Sequence, residues 1–187
     1  MGLNRDCGPR TGRSSGAFVA LICAVGCSQT PEQIEMSNMK PSTVIPKVSP
    51  KKLIASFKDY CVDRIDQASS IPAYLRTLDY IEAEPWSFEG IRTFVVDDSK
   101  PMIRVKTGAV PQCVALAEAR SGQTASVDRF IQEQYPDAVS ISAEELGTPV
   151  EKAWKIDEAP ETLIYTHRYN QPFPKSQFAL GIITKEQ

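Results

Sequence analysis

The sequence is poor in the residues from which most metal and catalytic sites are built. His167 is its single histidine. A metal site made of several imidazoles is therefore excluded, and any histidine-dependent triad has to run through this one residue. There is no C-x-x-C pair, no glycine-rich phosphate loop, no G-x-S-x-G elbow and no D-x-[DN]-x-[DN]-G loop. The common thiol-exchange, phosphate-cradling, serine-hydrolase and calcium-loop motifs are thus missing. Positive charge is not in excess either. Lys and Arg number 21 against 23 Asp and Glu, for a net charge of −2, so the chain has no electrostatic footprint for nucleic acid. Long apolar runs are also lacking. The stretch Ala17 to Val25 is uninterrupted for nine residues. As a helix it would cover only about 14 Å, roughly half a bilayer core, so a permanent transmembrane helix is not expected.

That short run nevertheless has an ordered context. Residues 1–16 are polar and net basic, with Arg5, Arg10 and Arg13 against Asp6. Ala24-Val25-Gly26 then places small residues at the third and first positions before Cys27. Basic, apolar and small-residue parts in this order form a secretory signal. Ala24-Val25-Gly26-Cys27 resembles the lipobox of bacterial lipoproteins, with Ala24 where that class usually carries Leu. The resemblance implies removal of residues 1–26, acylation of Cys27 and a protein lipid-anchored in the bacterial cell envelope, facing the periplasm. Ser28, in place of Asp, points by resemblance to bacterial sorting signals towards the outer membrane. The same three small residues also satisfy ordinary signal peptidase, which would leave a soluble periplasmic protein.

The cysteines are Cys7, Cys23, Cys27, Cys61 and Cys113. The first two fall in the signal. If Cys27 carries lipid, the remaining two are free to pair in an oxidising compartment, whereas an unmodified Cys27 would leave one thiol over. Between Cys27 and Pro50 the chain holds Pro31, Pro41, Pro46 and Pro50, many small polar residues and few large apolar ones. Such a stretch buries too little surface to offset its ordering entropy, and 27–50 is expected to be a flexible tether. A single domain then occupies 51–187.

The domain opens with helical patterning. Ser49-Pro50 supplies a cap and first helical residue, and Leu53, Ile54, Phe57, Tyr60, Cys61 and Ile65 follow at helical spacing. A second helix is expected from Ser70-Ile71-Pro72, burying Leu75, Leu78 and Ile81 and stopping before Pro85. Ile91–Val96 and Met102–Thr107 flank the turn residues Asp97–Pro101 and read as a hairpin. Cys113–Ala119 is ambiguous between helix and strand. We read a strand, because Cys113, Ala115, Ala117 and Ala119 would then form one small-residue face for close helix packing. Thr124 or Ser126 caps a third helix with the stripe Val127, Phe130, Ile131 and Tyr135, ended by Pro136. Three further strands are expected around Trp154, at Thr162–Tyr169 and at Gln177–Thr184. The order α-α-β-β-β-α-β-β-β implies an α+β fold. Its sheet should be mainly antiparallel, of about five or six strands, with two or three helices on one face.

Cys61 on the inner face of the first helix and Cys113 at the start of a strand are expected to form a structural disulfide. Closing a loop of about 52 residues, it would contribute on the order of 4 kcal/mol. Phe57-Lys58-Asp59-Tyr60-Cys61, with the second cysteine about 50 residues on, resembles a loose group of uncharacterised alphaproteobacterial envelope proteins. In that group a Phe-x-x-x-Cys helix opens a small α+β domain. The resemblance extends over residues 51–155, through Pro136-Asp137-Ala138, Leu146-Gly147 and Trp154, and implies the fold and the bridge but no activity.

Candidate functional residues lie near the carboxyl terminus. Tyr165, His167 and Tyr169 share one face of an alternating strand. Phe173, between Pro172 and Pro174, would be presented on the loop between the last two strands, where an aromatic can anchor a partner. Asp97-Asp98 and Asp157-Glu158 read as solvated turn carboxylates. No catalytic, cofactor or metal-binding set emerges. The expected function is that of a non-enzymatic envelope lipoprotein, attached to the membrane through its lipid and binding another envelope protein, with His167, Tyr169 and Phe173 as contact residues. The alternative is a small-ligand-binding or hydrolytic periplasmic protein with a dispersed site; a coat or peptidoglycan-contact role is a third. A pocket lined by His167 with converging polar groups would favour the small-ligand alternative. A flat apolar patch near Phe173 would favour the protein partner.

Overall fold

The computed structural model describes residues 31, 34–35, 45–83, 90–146, 150–158, 160–169 and 176–185. Cys27 and Phe173, two of the candidate site residues, lie outside them.

Helix α1, Pro50–Tyr60, starts as the sequence predicts. The Ser49 hydroxyl accepts from the Lys52 N–H at 3.3 Å, and Pro50 occupies the first turn. The expected continuation to Ile65 does not occur as α-helix. After Cys61 the chain tightens into a 3-10 run, Val62–Ser70, broken at Gln67. Cys61 is held from outside the helix, bonded to Cys113 with the two Cα atoms 5.3 Å apart. Helix α2, Ile71–Thr77, is shorter than expected. Asp79 adopts a left-handed φ of 65°, turning the chain so that Ile81 enters a strand and not a helix.

Eight strands follow among the described residues, more than the five or six expected. They are β1 (Ile81–Glu82), β2 (Ile91–Val95), β3 (Met102–Lys106), β4 (Gln112–Glu118), β5 (Val139–Ile141), β6 (Lys152–Glu158), β7 (Glu161–Tyr169) and β8 (Gln177–Lys185). They form one antiparallel sheet in the order β1-β2-β3-β4-β8-β7-β6-β5. The two strands absent from the expectation, β1 and β5, are two and three residues long and lie at the sheet edges. Elements that short have no periodicity to read. Their brevity also limits the unpaired backbone that each edge presents.

Helix α3, Gln123–Gln134, lies in chain order between β4 and β5, and the short α4, Ala143–Leu146, follows β5. Neither Thr124 nor Ser126 caps α3; Gly122 holds the cap position at φ 80°. The Gln123 side chain bonds the chain that precedes the helix. Its amide oxygen accepts from the Arg120 N–H at 2.6 Å, and its amide nitrogen donates to the Glu118 carbonyl at 3.0 Å. The helix start is thereby tied to the end of β4.

One face of the sheet carries the helices. Phe94, Ile103, Val105, Phe178, Leu180, Ile182, Ile164 and Trp154 meet Leu53, Phe57, Ile65, Ile71, Leu75, Val127, Phe130 and Ile131 there. The small side chains Cys113, Ala115 and Ala117 lie buried on this face in the central strand β4, as predicted. They leave room for α1 to approach closely enough for the disulfide. Each large aliphatic or aromatic side chain buried in this layer contributes about 1.5–3 kcal/mol before ordering entropy is counted. Packing also reaches back before α1. Ile45 and Val48 are buried, the Lys47 N–H donates to the Asp98 carbonyl at 3.0 Å, and the Glu118 N–H donates to the Pro46 carbonyl at 2.8 Å. Residues 45–49, expected in the tether, therefore belong to the packed body. Their apolar side chains are spaced so that both reach the core. Among the described residues no helix is long and apolar enough to cross a membrane.

An ion-pair cluster ties β1 to β2 and α2. The Glu82 carboxylate accepts from Arg92 Nε at 2.6 Å and from an Arg76 guanidinium nitrogen at 2.9 Å. The Arg92 hydrogen bonds, partly opposed by burial, hold its carboxyl below the usual range. A group whose folded pKa is depressed adds stability that is complete above its unfolded pKa and is lost as pH falls through the folded one. Glu82→Gln should cost about 1 kcal/mol in urea denaturation at neutral pH. The gap to wild type should close below the depressed pKa; an equal gap at both pH values would contradict this account.

Candidate functional site

Among the described residues, the opposite face of the sheet carries no large helix. Its composition follows from strand alternation, and its geometry from the register. Arg104 pairs with Val114, Val114 with Gly181, Gly181 with Tyr165, and Tyr165 with Ala153. These residues form one lateral row across five strands. The next row runs through Met102, Leu116, Ala179 and His167. The centre of both rows is small: Gly181 and Ala179 from β8. The β7 positions beside them, Tyr165 and His167, are large. A trough results, floored by β8 and bordered on the β7 side by rings.

Tyr165 lies across that floor. A Cβ added at Gly181 would stand 2.6 Å from the Tyr165 ring carbon Cε1 and from its hydroxyl oxygen. Only glycine admits the ring in this position. The ring ends over β4, where Gln112 Nε2 donates to the Tyr165 hydroxyl at 2.5 Å. Burial, chiefly, pushes the Tyr165 phenol well above its ordinary pKa, so it stays protonated. Because the phenol oxygen is the acceptor in this bond, its own proton remains available for donation.

Beside the ring opens a cavity of about 360 Å³. The β7 stripe Leu163, Tyr165, His167 and Tyr169 forms one wall; Gln112, Ile183 and Lys185 extend it across β4 and β8; Leu146 of α4 and Val150 form the other side. The wall is mostly apolar with a few placed polar groups, and the volume falls in the range of small-molecule sites. His167 and Tyr169 pack edge to face with centroids 4.2 Å apart. Among the described residues, no hydrogen bond or ion pair reaches the His167 imidazole. None of them forms a group of three His, Cys, Asp or Glu side chains able to hold a metal ion.

The structure thus brings Tyr165, His167 and Tyr169 together on one wall, as their alternation predicts. Cys61 and Cys113 are joined on the other side of the sheet. Sequence reasoning missed Gln112, Leu146, Val150, Leu163, Ile183 and Lys185 as lining residues, because the cavity draws on several elements. Gly181 was legible in principle: a glycine inside the apolar run Phe178–Ile183 marks a close approach. No protein-family model matches the chain, and comparison with curated proteins and with solved structures finds no match.

Proposed function

We propose that this protein is a non-catalytic binding module of the bacterial envelope, tethered through a lipid on Cys27, that holds a small and largely apolar molecule against the open face of its sheet. The observation that carries this reading is the His167-lined cavity of about 360 Å³. Aliphatic side chains from β7, β8 and α4 converge there with an imidazole, an amide and two phenols. The supporting contrast is with a protein-docking surface. Among the described residues the large exposed apolar side chains are Ile34, Val110 and Val139. Val110 lies in the β3–β4 connection and Val139 on the edge strand β5, separated by most of the sheet. They do not make a flat patch. Phe173, the residue expected to anchor a protein partner, lies outside the described residues. A hydrolytic role is less well supported, since no base–nucleophile pair includes His167 among the described residues.

The test is binding of the neutral fluorophore N-phenyl-1-naphthylamine. The purified protein should bind it with one-to-one stoichiometry and blue-shifted emission. Ile183→Trp, which places an indole in the cavity, should abolish the signal while the thermal transition stays cooperative. No binding by the wild type, or equal binding by Ile183→Trp, would refute the cavity as a ligand site.

A further inference from the structure

Among the described residues, the open face holds donors without acceptors. Arg104 sits on β3 in the same lateral row as Gly181 and Tyr165. With strands about 4.8 Å apart, its Cα stands about 10 Å from that of Gly181, and the Tyr165 ring leans across β8 towards it. Burial is the largest influence on the guanidinium, and the titratable groups nearest it are the phenols of Tyr169 and Tyr165. Among the described residues no carboxylate pairs with Arg104 and no acceptor receives its N–H groups. The Tyr165 hydroxyl accepts from Gln112 but donates to none of these residues. The Tyr169 hydroxyl also lacks a partner among them. Directly opposite Arg104 in the β2–β3 register stands Thr93, fully buried, its hydroxyl without a hydrogen bond among the described residues.

Donors left unsatisfied at low exposure are costly, and a guanidinium most of all. A single oxyanion would satisfy several of these donors at once, because a carboxylate or phosphate offers acceptor lone pairs in more than one direction. Arg104 stands on β3 beyond the cavity lining, whereas the Lys185 ammonium within that lining is already paired with Glu161 at 3.2 Å. The arrangement therefore has a polarity. Leu163 and Ile183 border an apolar space next to the paired Lys185, and Tyr165 and Tyr169 lead from it to an unpaired cation.

We propose that the ligand is an amphiphile with one alkyl chain and an anionic head, the chain lying along Leu163 and Ile183 and the head meeting Arg104 and the hydroxyls of Tyr165 and Tyr169. This rests on the cavity being a ligand site, and two probes separate the claims. Calorimetric titration of the purified, lipid-stripped protein with decanoate and with decan-1-ol compares heads on the same chain. Decanoate should bind about tenfold more tightly than the alcohol, the discrimination one charge-assisted hydrogen-bond set provides. Arg104→Met should erase that difference while keeping the affinity for the alcohol, which also reports that the variant is folded. Lys106→Met, removing another cation from the same strand and face, should keep the difference. Equal affinities in the wild type, or a preference that survives Arg104→Met, would overturn the anionic head alone. If neither compound binds, the cavity reading itself falls. Recovery of the protein on phosphatidylglycerol vesicles without decanoate binding would place the anion at a bilayer surface and also overturn the proposal.

Discussion

Reducing the Cys61–Cys113 bridge should lower the unfolding free energy by about 4 kcal/mol, a large share of what a domain of this size possesses. The two cysteines are 52 residues apart in the chain. The loop between them contains the 3-10 run, α2 and three of the eight described strands, β1, β2 and β3, all of which the bridge closes into one ring in the unfolded chain. In the folded state Cys61 and Cys113 are both fully buried within the helix-facing core. Replacing both with Ala in place of reduction separates the loop effect from thiol chemistry. Urea denaturation of wild type with and without reductant, and of the double variant, should give midpoints lower by a similar amount in both altered forms. A loss under about 1 kcal/mol would mean that the bridge constrains little of the unfolded ensemble.

Gly181→Ala should both destabilise the domain and destroy the site. The added Cβ would overlap the Tyr165 ring. The backbone cannot retreat, because β8 is paired along its length with β4 on one side and β7 on the other. The ring must leave, breaking its hydrogen bond with Gln112. Overpacking of this kind costs about 1–3 kcal/mol, with the lost hydrogen bond included in the upper part of that range. Binding of the neutral fluorophore should fall with it. Coupling supplies the sharper test. With Tyr165 shortened by Tyr165→Leu there is no ring to displace, so Gly181→Ala should then cost almost nothing. Additive losses in the double variant would show that the glycine serves something other than the ring.

The helix-facing half of the molecule was legible because periodicity and burial coincide there. Leu53, Phe57 and Tyr60 repeat at helical spacing and are buried. Cys113, Ala115 and Ala117 alternate in a strand and are buried under the helices. The hairpin of β2 and β3 followed from turn residues between two β-branched runs. The failures are equally local. Ile81 fits a helical stripe with Leu75 and Leu78, yet a left-handed Asp79 ends the turn and gives Ile81 to β1. Thr124 and Ser126 are good cap residues by type, but Gly122 takes the cap position while Gln123 bonds a carbonyl of β4. In both cases a tertiary contact outcompetes a local preference of similar size.

Alternation alone placed Tyr165, His167 and Tyr169 on one face, since side chains of a strand point to opposite faces whatever the partners are. It also set Arg104 and Lys106 apart from the apolar side chains of β3 that face the helices. What it left open is whether that second face meets water or a cavity. The answer depends on which strand lies beside which. Gly181 meets Tyr165 only because β8 pairs with β7, and Arg104 joins their row only because β4 stands between β3 and β8. Residues from 104 to 181 thus share one site through hydrogen-bonded registers. Strand order and register arise from packing of the whole sheet against its helices, a property of the assembled core that no window of the sequence contains.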